Sequence, residues 1–120
     1  MSIFHVEPMK GREHVMLAFA GKDNPIELHF MEDGRDFDCS AASSIRVKIG
    51  ETVIDSEIDE DAFDRTEDNI GHVDLLISNY PDITPKAYNM ACEVEFPEGE
   101  DPGKTIYFGT LRLIVQKPAM

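Results

Sequence analysis

Hydrophobic and polar residues alternate along most of this chain with a period of two, the pattern of half-buried strands rather than helices. In "EHVMLAF" (13–19) Val15, Leu17 and Phe19 share one face, which predicts a strand with those three turned inward. "IELHFM" (26–31) sets Ile26, Leu28 and Phe30 against Glu27 and His29, after the turn cluster "GKDNP" (21–25). "SIRVKIGETVI" (44–54) predicts a hairpin: Ile45, Val47 and Ile49 point inward, Arg46 and Lys48 outward, and Gly50-Glu51 makes a two-residue turn with glycine first. "GHVDLLIS" (71–78) places Val73, Leu75 and Ile77 on one side and His72 and Asp74 on the other. After the loop "NYPDITP" (79–85), "KAYNMACEVEF" (86–96) alternates Tyr88, Met90, Cys92, Val94 and Phe96 with Asn89, Ala91, Glu93 and Glu95. "PEGEDPGK" (97–104) reads as a long hairpin loop. In "TIYFGTLRLIVQ" (105–116) the phase slips: Ile106 and Phe108 have one parity, Leu111, Leu113 and Val115 the other. Gly109 lies between the two sets, which predicts a β-bulge there.

About seven short strands with turn signals between them predict an all-β fold, an immunoglobulin-like antiparallel β-sandwich, in preference to a closed barrel. The sandwich is expected over residues 13–116. Residues 1–12 and 117–120 carry Pro8, Gly11 and Pro118 and are expected as an N-terminal arm and a C-terminal tail outside the core.

Charge narrows the function classes. Among 120 residues, 24 Asp and Glu face 11 Lys and Arg, a formal net charge of −13. That excess disfavours direct binding to nucleic acid or to an anionic membrane surface. The longest apolar run, "VMLAFA" (15–20), is too short to span a bilayer, and the first residues lack the apolar core of a signal peptide. A cytoplasmic protein is expected. Cys39 in a polar loop and Cys92 in an alternating run are then expected as reduced thiols.

Much of the charge falls in "DSEIDEDAFDRTED" (55–68), with eight carboxylates and one arginine. As a calcium loop starting at Asp55, it offers Asp55, Glu57, Asp59 and Asp61 at alternate positions. It lacks the bend glycine (Glu60 stands there) and the clamping glutamate (Thr66 stands there). The favoured reading is a solvated connector crossing between sheets, with a short helix or turn near 59–68, Asp59 as its cap, and Ala62 and Phe63 tucked against the sandwich. The alternative is an acidic inhibitor or nucleic-acid mimic that binds a basic host protein through residues 55–68, with Asp59, Glu60, Asp61 and Asp64 as the partner-binding residues.

Other chemistry is sparse. His5, His14, His29 and His72 form no metal-ligand spacing with one another or with a cysteine. His29 and His72 fall on the polar parity of their strands, so no metal or cofactor is expected. Glu93 and Glu95 share a strand face at about 7 Å, which is ordinary for the solvent side of a sheet. No nucleophile motif or phosphate-binding loop is present, and no catalytic residue is assigned.

The order of "DCSAASSIRVKIG", with Asp38, Ser40, Ala41 and Ala42 leading into a strand, and of "AYNMACEVEF", with Ala87, Tyr88, Glu93 and Val94, resembles the small immunoglobulin-like domains of tailed-phage structural proteins. It is similar in particular to the N-terminal domain of baseplate upper proteins. Lys86-Ala87 departs from that pattern, which has a glycine before the tyrosine. The resemblance implies a non-enzymatic phage or prophage protein that acts by docking to partner subunits, as a homo-oligomer or within a larger virion assembly. It carries over no catalytic residue. A third reading, a carbohydrate-binding domain, rests on Tyr80 and Tyr107 alone.

Overall fold

A computed structural model describes residues 2–9, 15–19, 25–76, 83–97 and 104–117. The fold is all-β, with ten strands among the described residues: β1 (Phe4–Pro8), β2 (Val15–Phe19), β3 (Pro25–Glu32), β4 (Arg35–Asp36), β5 (Ser44–Ile49), β6 (Thr52–Asp55), β7 (Phe63–Asp64), β8 (His72–Leu76), β9 (Lys86–Glu95) and β10 (Thr105–Gln116). They form two sheets. The first runs β1-β3-β8-β7, with β4 also on β3; the second runs β2-β10-β9-β5-β6. The pairs are antiparallel except β2 with β10, which is parallel.

The alternation sets the inner faces where one parity is clearly apolar. Ile26, Leu28, Phe30, Ile45, Val47, Ile49, Val73, Leu75, Met90, Cys92 and Val94 are all buried. Gly50 and Glu51 close the β5–β6 hairpin as expected, and Gly50 takes the positive φ of 60° that a glycine-first turn needs. The bulge also lies where the phase slips. The β9–β10 register shifts between Tyr107 and Gly109, and Gly109 has φ 100°. The extra residue lets Ile106 and Phe108 share the core with Leu111, Leu113 and Val115.

Phenylalanines tie the sheets together. Phe108 of the second sheet meets Phe30 and Phe4 of the first edge to face, at ring-centroid distances of 4.9 and 5.5 Å. Phe37, in the loop after β4, packs on Phe108 at 5.2 Å and on Phe96 at 5.8 Å. Each such pair adds about 0.5–1.5 kcal/mol to the burial of its rings.

Three expectations are corrected. Residues 4–8 of the expected arm are strand β1, paired with β3 and burying Val6. In β2 the parity is reversed: Met16 and Ala18 are buried, whereas Leu17 is 60% and Phe19 40% exposed. Both parities of "VMLAFA" are apolar, so alternation does not decide which faces in, and the smaller Ala18 fits against the opposing sheet. The strand count rises from about seven to ten because β4 and β7 are two-residue strands and β1 joins the sheet. Glu13, His14, Ile77, Ser78 and the greater part of the expected 21–25, 79–85 and 97–104 loops lie outside the described residues.

Gly71 fixes the entry into β8. Its φ is 79°, and a Cβ there would lie 2.3 Å from the Phe30 carbonyl oxygen and 3.0 Å from that of Phe37. Its own carbonyl accepts the Phe30 N–H at 2.8 Å. Gly71→Ala is therefore expected to cost more than about 2 kcal/mol, from left-handed strain plus the backbone clash. A urea midpoint lowered at unchanged slope reads that loss; a cost below about 0.5 kcal/mol contradicts the close approach.

Candidate functional site

The acidic stretch crosses from β6 in the second sheet to β7 and β8 in the first. Several of its polar groups are used internally. Asp55 Oδ1 accepts the Ser44 hydroxyl and the Glu57 N–H at 2.5 and 2.9 Å. The Ser56 hydroxyl accepts the Ile45 N–H at 2.8 Å, which prolongs the hairpin ladder by one residue. A 3-10 turn at Glu60–Ala62 follows, and Ala62 and Phe63 are buried as expected. Asp59 caps that turn through its carbonyl, which accepts the Ala62 N–H; its carboxylate makes no capping bond, so the expected side-chain cap is not formed.

Arg65, the lone cation of the stretch, acts as a strut. Its Nε donates to Asp68 Oδ2 at 2.7 Å, and its Nη2 to the carbonyls of Cys39 and Ala42 at 2.8 and 3.2 Å. The Asp68 carbonyl in turn accepts the Cys39 N–H at 2.8 Å. The connector and the loop after β4 are thereby sewn together, and these half-buried charge-assisted bonds are stronger than surface pairs. The same loop holds the "DCS" turn, in which Asp38 Oδ1 accepts the Ser40 N–H and hydroxyl; those bonds hold the Asp38 carboxyl below its ordinary range.

Asp59, Glu60, Asp61 and Asp64, the four expected partner-binding residues, are all exposed. The first three carboxylates make no hydrogen bond or ion pair among the described residues. Asp64 Oδ1 is engaged by the Thr66 N–H and hydroxyl at 2.9 and 2.5 Å, which lowers its pKa.

On the outer face of the first sheet the fold assembles what sequence spacing does not show. His29 of β3 lies directly opposite His72 of β8. The Phe30–Gly71 hydrogen bond occupies the next position along the ladder, so the histidine pair falls between ladder bonds. Side chains approach most closely there, with Cα atoms about 4.5 Å apart. The rings meet edge to face at 4.7 Å. Asp36 of β4 completes the group, its Oδ1 2.7 Å from His29 Nε2. Glu67 Oε2 stands 3.7 Å from His72 Nδ1. The sequence signal was present only as two polar-parity histidines on separate strands; their pairing across forty-three positions of chain is a tertiary fact.

Beside this group, Met9, Glu27, Asp64, Thr66, Glu67, His72 and Asp74 line a cleft of about 150 Å³. Burial, then the like charges of Glu27, Asp64 and Glu67, raise the Asp74 pKa.

The outer face of the second sheet differs in character. Arg46 Nε pairs with Glu93 Oε1 at 2.6 Å and its Nη1 with Glu95 Oε1 at 2.9 Å, so these two glutamates serve an ion-pair network. Next to it, Val53, Ala91 and Tyr107 flank a cleft of about 240 Å³ with Arg46, Lys48 and Glu93. Val53 is 53% and Tyr107 58% exposed. Tyr80, the other aromatic of the carbohydrate reading, lies outside the described residues. Cys39 and Cys92 are free and buried, and burial pushes both thiols up to about 12, far from a reactive thiolate.

No family model matches the chain, and no curated protein matches it.

The raised Asp74 pKa sets the sign of a pH effect. The folded state binds the Asp74 proton more tightly than the unfolded state does, so this residue costs stability above its folded pKa. The cost disappears as pH falls through the folded pKa toward the unfolded value near 3.8. Asp74→Asn is expected to raise the melting temperature at pH 7 and to lose that advantage progressively in acid. An advantage that grows on acidification contradicts the crowding of carboxylates around Asp74.

Proposed function

We propose that this chain is a non-enzymatic interaction module with an immunoglobulin-like fold, which docks to partner subunits of a phage- or prophage-type tail or baseplate particle. It is made in the bacterial cytoplasm and incorporated into that assembly. The observation that carries the docking role is the apolar outer face of the second sheet, where Leu17, Val53 and Tyr107 are more than half exposed. Register aligns Leu17 with Ile114 and Ala87 as a second apolar row on the same face, separated from Val53 and Tyr107 by the Arg112–Asn89 row. Exposed apolar surface rimmed by charge is typical of protein contact sites.

Two features support the immunoglobulin-like reading. The order β1-β3-β8-β7 follows the A-B-E-D sheet of that fold, and β10-β9-β5 follows G-F-C, with β6 beyond it. Tyr88, near the start of β9, donates its hydroxyl to the Thr84 carbonyl at 2.7 Å and accepts the Thr84 N–H at 2.9 Å. That arrangement is like the tyrosine corner near the start of strand F in immunoglobulin-like domains. Its ring lies against Gly50, whose added Cβ would come within 3.1 Å of it. Met90, two residues on, stands where antibody domains carry their second bridging cysteine, and Cys39 and Cys92 are both free. The phage assignment rests on the likeness of the Asp38–Ala42 and Ala87–Val94 segments.

Size-exclusion chromatography with light scattering, run alone and with the products of neighbouring genes, tests the docking role. The expected result is a complex larger than the monomer. Tyr107→Asp and Val53→Glu should disperse it while changing stability by less than about 0.5 kcal/mol, since both sites are exposed. A strict monomer that joins no neighbouring product contradicts the reading.

The unpaired, exposed carboxylates of Asp59, Glu60 and Asp61 favour one alternative, an inhibitor that binds a basic protein through the crossing. Changing these three and Asp64 to Asn or Gln should then abolish capture of that protein and leave the melting temperature nearly unchanged; capture that survives the change removes this alternative.

A further inference from the structure

We propose that His29, Asp36 and His72 form a binding site for one divalent transition-metal ion of the zinc class. One donor atom from each residue lies within 4.8 Å of the other two. Zinc holds nitrogen and oxygen donors at about 2.0–2.2 Å, which places tetrahedral ligands about 3.3 Å apart. His29 Nε2 and Asp36 Oδ1, hydrogen-bonded at 2.7 Å, would part by about 0.6 Å to exchange that bond for the ion, and the His72 donor, within 4.8 Å of both, would move in by at most about 1.5 Å through side-chain rotation.

The donor set selects the ion. Two imidazoles and one carboxylate suit zinc, nickel, copper or iron. Calcium asks for six to eight oxygens and magnesium for an oxygen octahedron, which these residues do not supply. The site is also partly organised in advance. The His29 and His72 side chains are only 17% and 28% exposed, and each ring is braced by the other. They stand on paired strands rather than on loops, so little ordering remains for binding to impose.

The surroundings favour a cation. Glu67 beside His72 Nδ1 is placed either to orient that ring from the outer shell or to enter as a fourth ligand. Glu7 pairs with His29 in the β1–β3 register and faces the same side of the sheet. With the carboxylates of the adjacent cleft, these groups give the face a negative potential that concentrates cations. The three ligands come from β3, β4 and β8, so the ion would staple the two-residue strand β4 and its loop to the centre of the sheet. The site is independent of the docking face, which lies on the other sheet.

Zinc chloride titrated into metal-stripped protein at physiological salt, followed by calorimetry and by melting temperature, tests the site. The expected result is one ion per chain and a raised melting temperature, with no rise from calcium or magnesium at the same concentration. His29→Asn and His72→Asn should each weaken binding by more than about tenfold, Glu67→Gln by about tenfold or less, and His5→Asn should leave it unchanged. Should a variant fail to fold, imidazole nitrogen shifts in the unmodified protein serve instead: zinc should move those of His29 and His72 and leave His5 in place. Unchanged affinity in His29→Asn, an equal response to calcium, or zinc-induced shifts that leave His29 and His72 unmoved overturns the proposal.

Discussion

The register between β3 and β8 is the constraint on which the first sheet depends. It turns Leu28, Phe30, Val73 and Leu75 into the core and leaves Glu27, His29, His72 and Asp74 outside. A slip of β8 by one residue would exchange Val73 and Leu75 with His72 and Asp74, burying charge against the core and exposing apolar side chains. Gly71 holds the register by bringing its backbone against Phe30 and Phe37, closer than any side chain would allow. The parity that builds the core therefore also builds the His29–Asp36–His72 group, without any local motif for it.

The acidic crossing contributes to the same constraint. A chain leaving β6 must reach the other sheet and start β8 in phase. Arg65 and Asp68 achieve this by binding the backbone of the Phe37–Ser43 loop, so the connector and the loop position each other. The stretch is thus a solvated surface on one side and a structural tie on the other. Its composition showed only the first of these.

Legibility followed from how unequal the two parities were. In β3, β5, β8 and β9 apolar residues alternate with charged or polar ones, and the inner face was readable. The Gly109 bulge was readable for the same reason, because the phase visibly changed around it. In β2 both parities are apolar and the wrong one looked larger, so the burial of Met16 and Ala18 was missed. In β1 the alternation of Phe4 and Val6 with His5 and Glu7 was present but overshadowed by Pro8 and Gly11. The Tyr88 corner and the paired histidines were beyond reach, since each depends on where a second, distant segment lands. The four candidate acidic contacts could be located but not ranked, because exposure and the Thr66 bonds to Asp64 are visible only once the chain is folded.

The most direct test of this account is the proton NOESY spectrum across β3 and β8. A strong contact between the α-protons of His29 and His72 is predicted, because that pair lies between ladder hydrogen bonds where the strands approach most closely. A strong α-proton contact from His29 to Gly71 or Val73 instead, indicating strands slipped by one residue, would contradict the register and everything placed upon it.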